Sequence, residues 1–159
     1  MIYLIITSSI VNKHGLDDFE HRKYRYIDSI RQALYIVNGD TTIKPIIIEN
    51  NGYRQTYLDG LGCEVSYTNN NYLNLPNKGA NELIDMKYLI TRYNIQDDDT
   101  IIKLTGRYKL LNADFINFVK CNNYEYDAFV KFYNVCTREY MHNDCVLGLF
   151  AIKCKHLHR

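Results

Sequence analysis

Short, nearly unbroken apolar runs, set apart by segments of helical period, limit what this chain can fold into. Ile2 to Thr7 reads I-Y-L-I-I-T, Pro45 to Glu49 reads P-I-I-I-E, and Thr100 to Leu104 reads T-I-I-K-L. A strand with one wet face alternates apolar and polar residues. A run that is apolar at nearly every position needs cover on both faces, as strands of a parallel sheet have. Between the first two runs, Asp17 or Asp18 caps a predicted helix reaching about Val37, with Tyr24, Ile27, Ile30, Leu34 and Val37 at helical spacing and Asn38-Gly39-Asp40 as its stop. Arg54 to Leu61 reads as a short helix ended by Gly62, and Cys63 to Thr68 alternates like a third strand.

An Asn-rich loop, Asn69 to Asn77, leads past Pro76 into a second long helix carrying Leu83, Met86, Tyr88, Leu89 and Ile90. Asn94 to Asp99 is a polar break before the Thr100–Leu104 strand. Asn112-Ala113-Asp114 opens a helix through Lys120, and Tyr126 to Phe132 and Cys145 to Cys154 read as two final strands. Alternating strands and helices predict an α/β fold of three layers, with a mostly parallel sheet and helices on both faces. The last two strands are too close for a crossover helix, so one of them is expected to run antiparallel or bend away.

At 159 residues, with no linker or repeat, the chain is expected to form one domain over 1–159. A net charge of +1 supplies no long-range field for nucleic acid or an anionic membrane, so neither is an expected partner. No apolar run approaches the ~20 residues that span a bilayer, and Met1 to Ile10 lacks the basic leader of a signal peptide. The five cysteines are odd in number and show no C-x-x-C spacing, which fits thiols in a reducing, cytoplasmic setting better than disulfides or zinc.

In a parallel sheet the polar ends of the first, second and fourth strands fall on one edge: Thr7-Ser8-Ser9, Glu49-Asn50-Asn51 and Thr105-Gly106-Arg107. Open α/β sheets bind ligands outside the carboxyl ends of their strands. Backbone and hydroxyl groups at Thr7 and Ser8 can hold a base or phosphate there, and a carboxylate such as Glu49 can accept a ribose hydroxyl. Lys103 and Arg107 share strand parity, so both are expected to face one way and to neutralise a diphosphate. Asn77, Lys78 and Gly79 open the second long helix, whose free N–H groups favour anions. Asp97-Asp98-Asp99 resembles a metal site but precedes its strand, roughly 25 Å of extended chain from Arg107, and reads as a solvated loop. Asp144, ahead of the last strand, is a candidate general base.

The Asn77-Lys78-Gly79 opening and, more specifically, the stretch Lys103-Leu104-Thr105-Gly106-Arg107-Tyr108 resemble proteins classed as glycosyltransferases of the GT-A type, found in large DNA viruses and bacterial surface-polysaccharide loci. The resemblance in element order runs from Ile2 to Lys153. It implies a Rossmann-like domain that takes a nucleotide-diphosphate sugar and passes the sugar to a hydroxyl of a glycan acceptor. Thr7, Ser8 and Glu49 would hold the nucleoside, Asn77, Lys78, Lys103 and Arg107 the diphosphate, and Asp144 would activate the acceptor. Members of the class hold manganese or magnesium with an Asp-x-Asp at the strand end where this chain has Thr105-Gly106-Arg107, so cationic side chains are expected to take over from the metal. If viral, the protein would work in the host cytoplasm. Many members are longer, and a chain short of a full acceptor-binding half would be a non-catalytic accessory domain of the same fold. No G-x-G-x-x-G or G-x-x-x-x-G-K loop supports another nucleotide enzyme.

Overall fold

The structure, a computed structural model, describes residues 1–11, 18–52, 54–75, 78–132, 139–141 and 145–157. Six strands form one sheet: β1 (Ile2–Ser8), β2 (Ile43–Glu49), β3 (Glu64–Tyr67), β4 (Thr100–Thr105), β5 (Ala128–Lys131) and β6 (Val146–Lys153). Three α-helices connect them: α1 (Phe19–Ile36), α2 (Lys78–Arg92) and α3 (Asp114–Asn122). The sheet order is β3-β2-β1-β4-β6-β5. β1, β2, β3 and β4 are mutually parallel, while β6 runs antiparallel to both β4 and β5. The expected three-layer α/β architecture is present, and β6 is the strand that turns round.

The apolar runs behave as their composition requires. β1 contributes Leu4 and Ile6 to one core and Ile5 to the other. α1 and α3 cover the first face through Tyr26, Ile30, Ala33, Ile116 and Val119, and α2 covers the second through Met86, Leu89 and Ile90. Buried apolar surface on both faces of one sheet is the main favourable term in such a fold.

Several local details differ from the sequence pattern. In α1 the buried tyrosine is Tyr26; Tyr24 is exposed, because the inward stripe runs Tyr26, Ile30, Ala33, Val37 at steps of three and four. Asp18 is the N-cap, accepting from the His21 N–H at 2.9 Å. The segment after β2 is a 3₁₀ turn, Tyr57–Leu61, rather than a helix from Arg54. It opens on a Thr56/Asp59 capping box and closes at Gly62, whose φ of 91° suits glycine. β5 is also shorter than the 126–132 run.

Candidate functional site

The strand order places β1 at the point where the chain reverses direction across the sheet. From β1 the chain passes over one face to β2, and it later returns over the other face to β4. The crevice between the carboxyl ends of β1 and β4 is thus a topological switch point, where doubly wound sheets take ligands. A small polar cleft of about 40 Å³ lies there. Thr7, Ser8 and Ser9 line it from β1, Asn50 from the end of β2, and Thr105 and Arg107 from the end of β4; Arg22 and Tyr26 reach it from α1, Asn81 and Glu82 from α2.

The floor of the cleft is built on two buried carboxylates. Glu49 accepts from Ser8 Oγ at 2.9 Å, from the Ile10 N–H at 3.1 Å and from the Asn51 N–H at 3.1 Å. Asp85 accepts from Thr68 Oγ1 at 2.8 Å, Asn70 Nδ2 at 2.7 Å and Asn50 Nδ2 at 2.9 Å. Burial pushes both carboxyl groups above the ordinary range, and these hydrogen bonds pull the other way. Glu49 therefore stitches the β1 and β2 loops together, and Asp85 ties the β2 and β3 loops to α2.

Glu49 is fully buried with its oxygens taken, so it shapes the loops instead of presenting a free carboxylate to a ribose. Lys103 also departs from expectation. It is 1 % exposed, and its ammonium pairs with Glu82 at 2.6 Å and donates to Thr105 Oγ1 at 2.7 Å and the Leu147 carbonyl at 2.8 Å. Burial lowers its pKa, and Glu82 opposes that shift. A mid-strand lysine needed a partner, and α2 supplies one from across the sheet face.

Arg107 lies beyond the end of β4, which stops at Thr105, so strand parity does not carry to it. It lines the cleft, and its buried Nε has no hydrogen-bond partner. The buried Oδ1 atoms of Asn50 and Asn81 are likewise unpartnered. Asn50 Oδ1 is the acceptor end of its amide, since its Nδ2 is committed to the Asp85 carboxylate. Unmet buried polar groups of both kinds, clustered in one cleft, are what a polar ligand or ordered water satisfies.

The Thr105-Gly106-Arg107-Tyr108 stretch resolves residue by residue. Thr105 Oγ1 caps Lys103, and the Gly106 N–H donates to the Thr7 carbonyl at 2.8 Å. A Cβ on Gly106 would meet the Tyr26 ring at 2.9 Å and the Thr7 carbonyl at 3.0 Å. Arg107 enters the cleft, and Tyr108 lies across Gly148 of β6, where a Cβ would sit 1.9 Å from its ring.

Arg22 and Tyr26 are site residues that the sequence reading passed over. Arg22 donates to the Ser9 carbonyl at 2.9 and 2.8 Å, and the Tyr26 hydroxyl accepts from the Ser9 N–H at 3.0 Å. Their recoverable signal was the period that puts both on the α1 face toward β1. Lys78 is the first residue of α2, at the same edge; Asn77 and Asp144 lie outside the described residues. Asp99 accepts from the Met1 ammonium at 2.8 Å and from the Gln96 N–H at 2.9 Å, at the amino edge away from the cleft.

The cleft does not fit the divalent cation of the GT-A class. Such ions need several free oxygen ligands, whereas the carboxylates here are spent on donors or on Lys103, and two guanidinium groups stand in the lining. Among the described residues no three His, Cys, Asp or Glu side chains cluster as a metal site. No described helix is long and apolar enough to cross a membrane.

No family model matches this sequence, and no curated protein does. Among solved structures the fold is similar to a protein of Desulfovibrio desulfuricans G20 provisionally assigned as a nucleotide-diphospho-sugar transferase. The TM-score is 0.58 and the identity 9%, over 96% of this chain and 63% of that one. The likeness establishes a shared architecture, and the chain spans less than two thirds of that protein's length.

Proposed function

We propose that this protein is a glycosyltransferase domain that binds a nucleotide-diphosphate sugar at the carboxyl edge of its sheet and passes the sugar to a hydroxyl acceptor. The observation that carries this reading is the cleft at the β1/β4 switch point, where Arg107 presents an unpartnered buried Nε beside Ser8, Ser9 and Asn81. The shared architecture with the Desulfovibrio protein supports it.

A cleft of about 40 Å³ has room for roughly one or two waters, so a nucleotide would lie across the loop tips with a phosphate oxygen reaching in. Arg107 would hold the diphosphate, with Lys78 and Asn77 at the α2 terminus beside it. Thr7 and Ser8 would contact the nucleoside. Glu49 and Lys103 would act through the groups they fix. The chemical task is to stabilise the departing nucleoside diphosphate, which a fixed guanidinium does bidentately and without a metal. Asp144 would take the proton of the attacking hydroxyl.

The small cleft favours a second reading, an accessory domain that binds the donor without turning it over. A thermal-shift panel of nucleoside diphosphates and nucleotide sugars, with and without manganese, tests both. Ligand at a hundred times Kd adds about 2.7 kcal/mol of apparent stability, which such a scan resolves. Arg107→Ala should abolish the shift, and the shift should not need manganese. Binding without release of nucleoside diphosphate in the presence of either glycan or amphiphilic acceptors would select the accessory role; no shift with any donor at millimolar concentration would refute the proposal.

A further inference from the structure

A second cavity, of about 630 Å³, runs along β5 and reaches Tyr108 beyond the carboxyl end of β4, and it is absorbed by none of the chemistry above. Its walls are the α3 face and β5, with Phe118 and Tyr126 each packed edge-on to Phe129 at centroid distances of 5.7 and 6.1 Å. The β5–β6 ladder is broken here: β5 advances from Phe129 to Lys131 while β6 runs from Ala151 to Val146. All four residues of β5 line the cavity: Phe129 turns inward onto the core, and Ala128, Val130 and Lys131 are exposed at the edge of the sheet. Tyr108 forms one end, so the cavity starts one residue from Arg107.

We propose that this groove holds the apolar portion of an anionic amphiphile, and that this molecule is the acceptor. The second clause rests on the glycosyltransferase reading; the first does not. Volume and shape fit a small molecule, whose sites typically run about 300–1,000 Å³. The described side chains of the lining favour an apolar occupant over a glycan. A buried sugar leaves many hydroxyls to satisfy, and the described side chains of the lining are mostly aromatic and aliphatic, with two tyrosine hydroxyls and one ammonium. That ammonium, Lys131, is the one charged side chain among the described lining residues and selects an acidic head group. The rings at the mouth are half exposed, with Phe118 at 56% and Tyr126 at 53%, leaving apolar surface for a chain to cover.

Titration calorimetry with hexyl and octyl phosphate, each below its micellar concentration, tests the assignment. Two added methylenes buried in the groove should tighten binding about tenfold. Phe118→Asp, at an exposed helix position that leaves the fold intact, should weaken octyl phosphate at least tenfold and leave the nucleotide-sugar thermal shift unchanged. Lys131→Gln should weaken octyl phosphate while leaving neutral octyl glucoside unaffected. Equal affinity for the two chain lengths, wild-type affinity in Phe118→Asp, or binding to anionic vesicles without binding to monomeric octyl phosphate would each overturn the groove assignment. If octyl phosphate binds as expected and no donor does, the groove stands as a site and the acceptor role falls with the donor reading.

Discussion

Gly148→Ala is the sharpest probe of the Thr-Gly-Arg-Tyr turn. A Cβ at 148 would lie 1.9, 2.6 and 2.7 Å from three carbons of the Tyr108 ring. Carbon atoms pack best at about 3.5–4.0 Å, so the ring must retreat by roughly 1.5–2 Å. Gly148 is buried in β6, whereas Tyr108 is 46% exposed, so the ring yields outward. A tyrosine with half its surface covered has about 100 Å² at stake, which at ~25 cal/mol per Å² is about 2.5 kcal/mol if all contact is lost. We expect a destabilisation of about 2 kcal/mol, inside the usual range for overpacking. For a chain this size that corresponds to a Tm roughly 4–8 °C lower. Urea titration of the wild type, Gly148→Ala, Tyr108→Ala and the double variant isolates the cause. In the Tyr108→Ala background the same glycine substitution should cost nothing, because alanine is the better strand residue once the ring is gone. An equal loss in both backgrounds, or none in the wild type, would refute the claim that Gly148 exists to seat Tyr108.

Gly106→Ala has less room, since the opposing groups are the buried Tyr26 ring and a backbone carbonyl; it should cost about 1–3 kcal/mol by chemical denaturation and weaken any donor that binds through Arg107. Glu82→Gln leaves the Lys103 charge buried without its counter-ion and should cost about 2 kcal/mol, discounted because Glu82 is partly exposed. Adding Lys103→Met should recover most of that loss, and raising the pH should ease it, since a lysine whose folded pKa lies below its unfolded value gains stability as it deprotonates. Asp40 is held down to about 2 by its hydrogen bonds from Lys120 and Thr42. A carboxylate depressed in the folded state stabilises above its unfolded pKa and loses that contribution as pH falls through the folded one. The stability difference between the wild type and Asp40→Asn should therefore shrink between about pH 4 and pH 2, as read by acid-range thermal melts.

The sheet was legible because its signal is local: unbroken apolar runs at 2–7, 45–49 and 100–104 force two-sided burial, and helical segments between them force parallel crossovers. That one of the last two strands would run antiparallel or bend away was also readable, from the short connection alone; that it is β6 was not. The identity of the inward tyrosine in α1 was not, because Tyr24 and Tyr26 fit adjacent stripes and only tertiary packing chooses between them. Polar assignments fared unevenly for the same reason. That Ser8, Glu49 and Arg107 would meet at one edge followed from strand polarity. That Glu49 and Lys103 would be consumed by Ser8, Ile10 and Glu82 did not, because those partners come from other elements. The aromatic groove was invisible for a further reason. It depends on the space left between α3 and the irregular β5–β6 edge, which only the packing of these elements sets.

The central place of β1 has a consequence in time. Ile2 pairs with Ile43 on one side and Thr100 on the other, partners 41 and 98 residues away. Closing the longer loop costs only about 0.8 kcal/mol more than the shorter, so equilibrium barely registers the difference. Synthesis does register it. At about 5–20 residues per second, β1 leaves the ribosome some 5–20 s before β4 exists to cover its second edge. During that interval a strand buried on both faces in the finished fold is half paired, with an open edge suited to pairing with another chain. Aggregation during expression, rather than instability of the finished fold, is the hazard this topology carries.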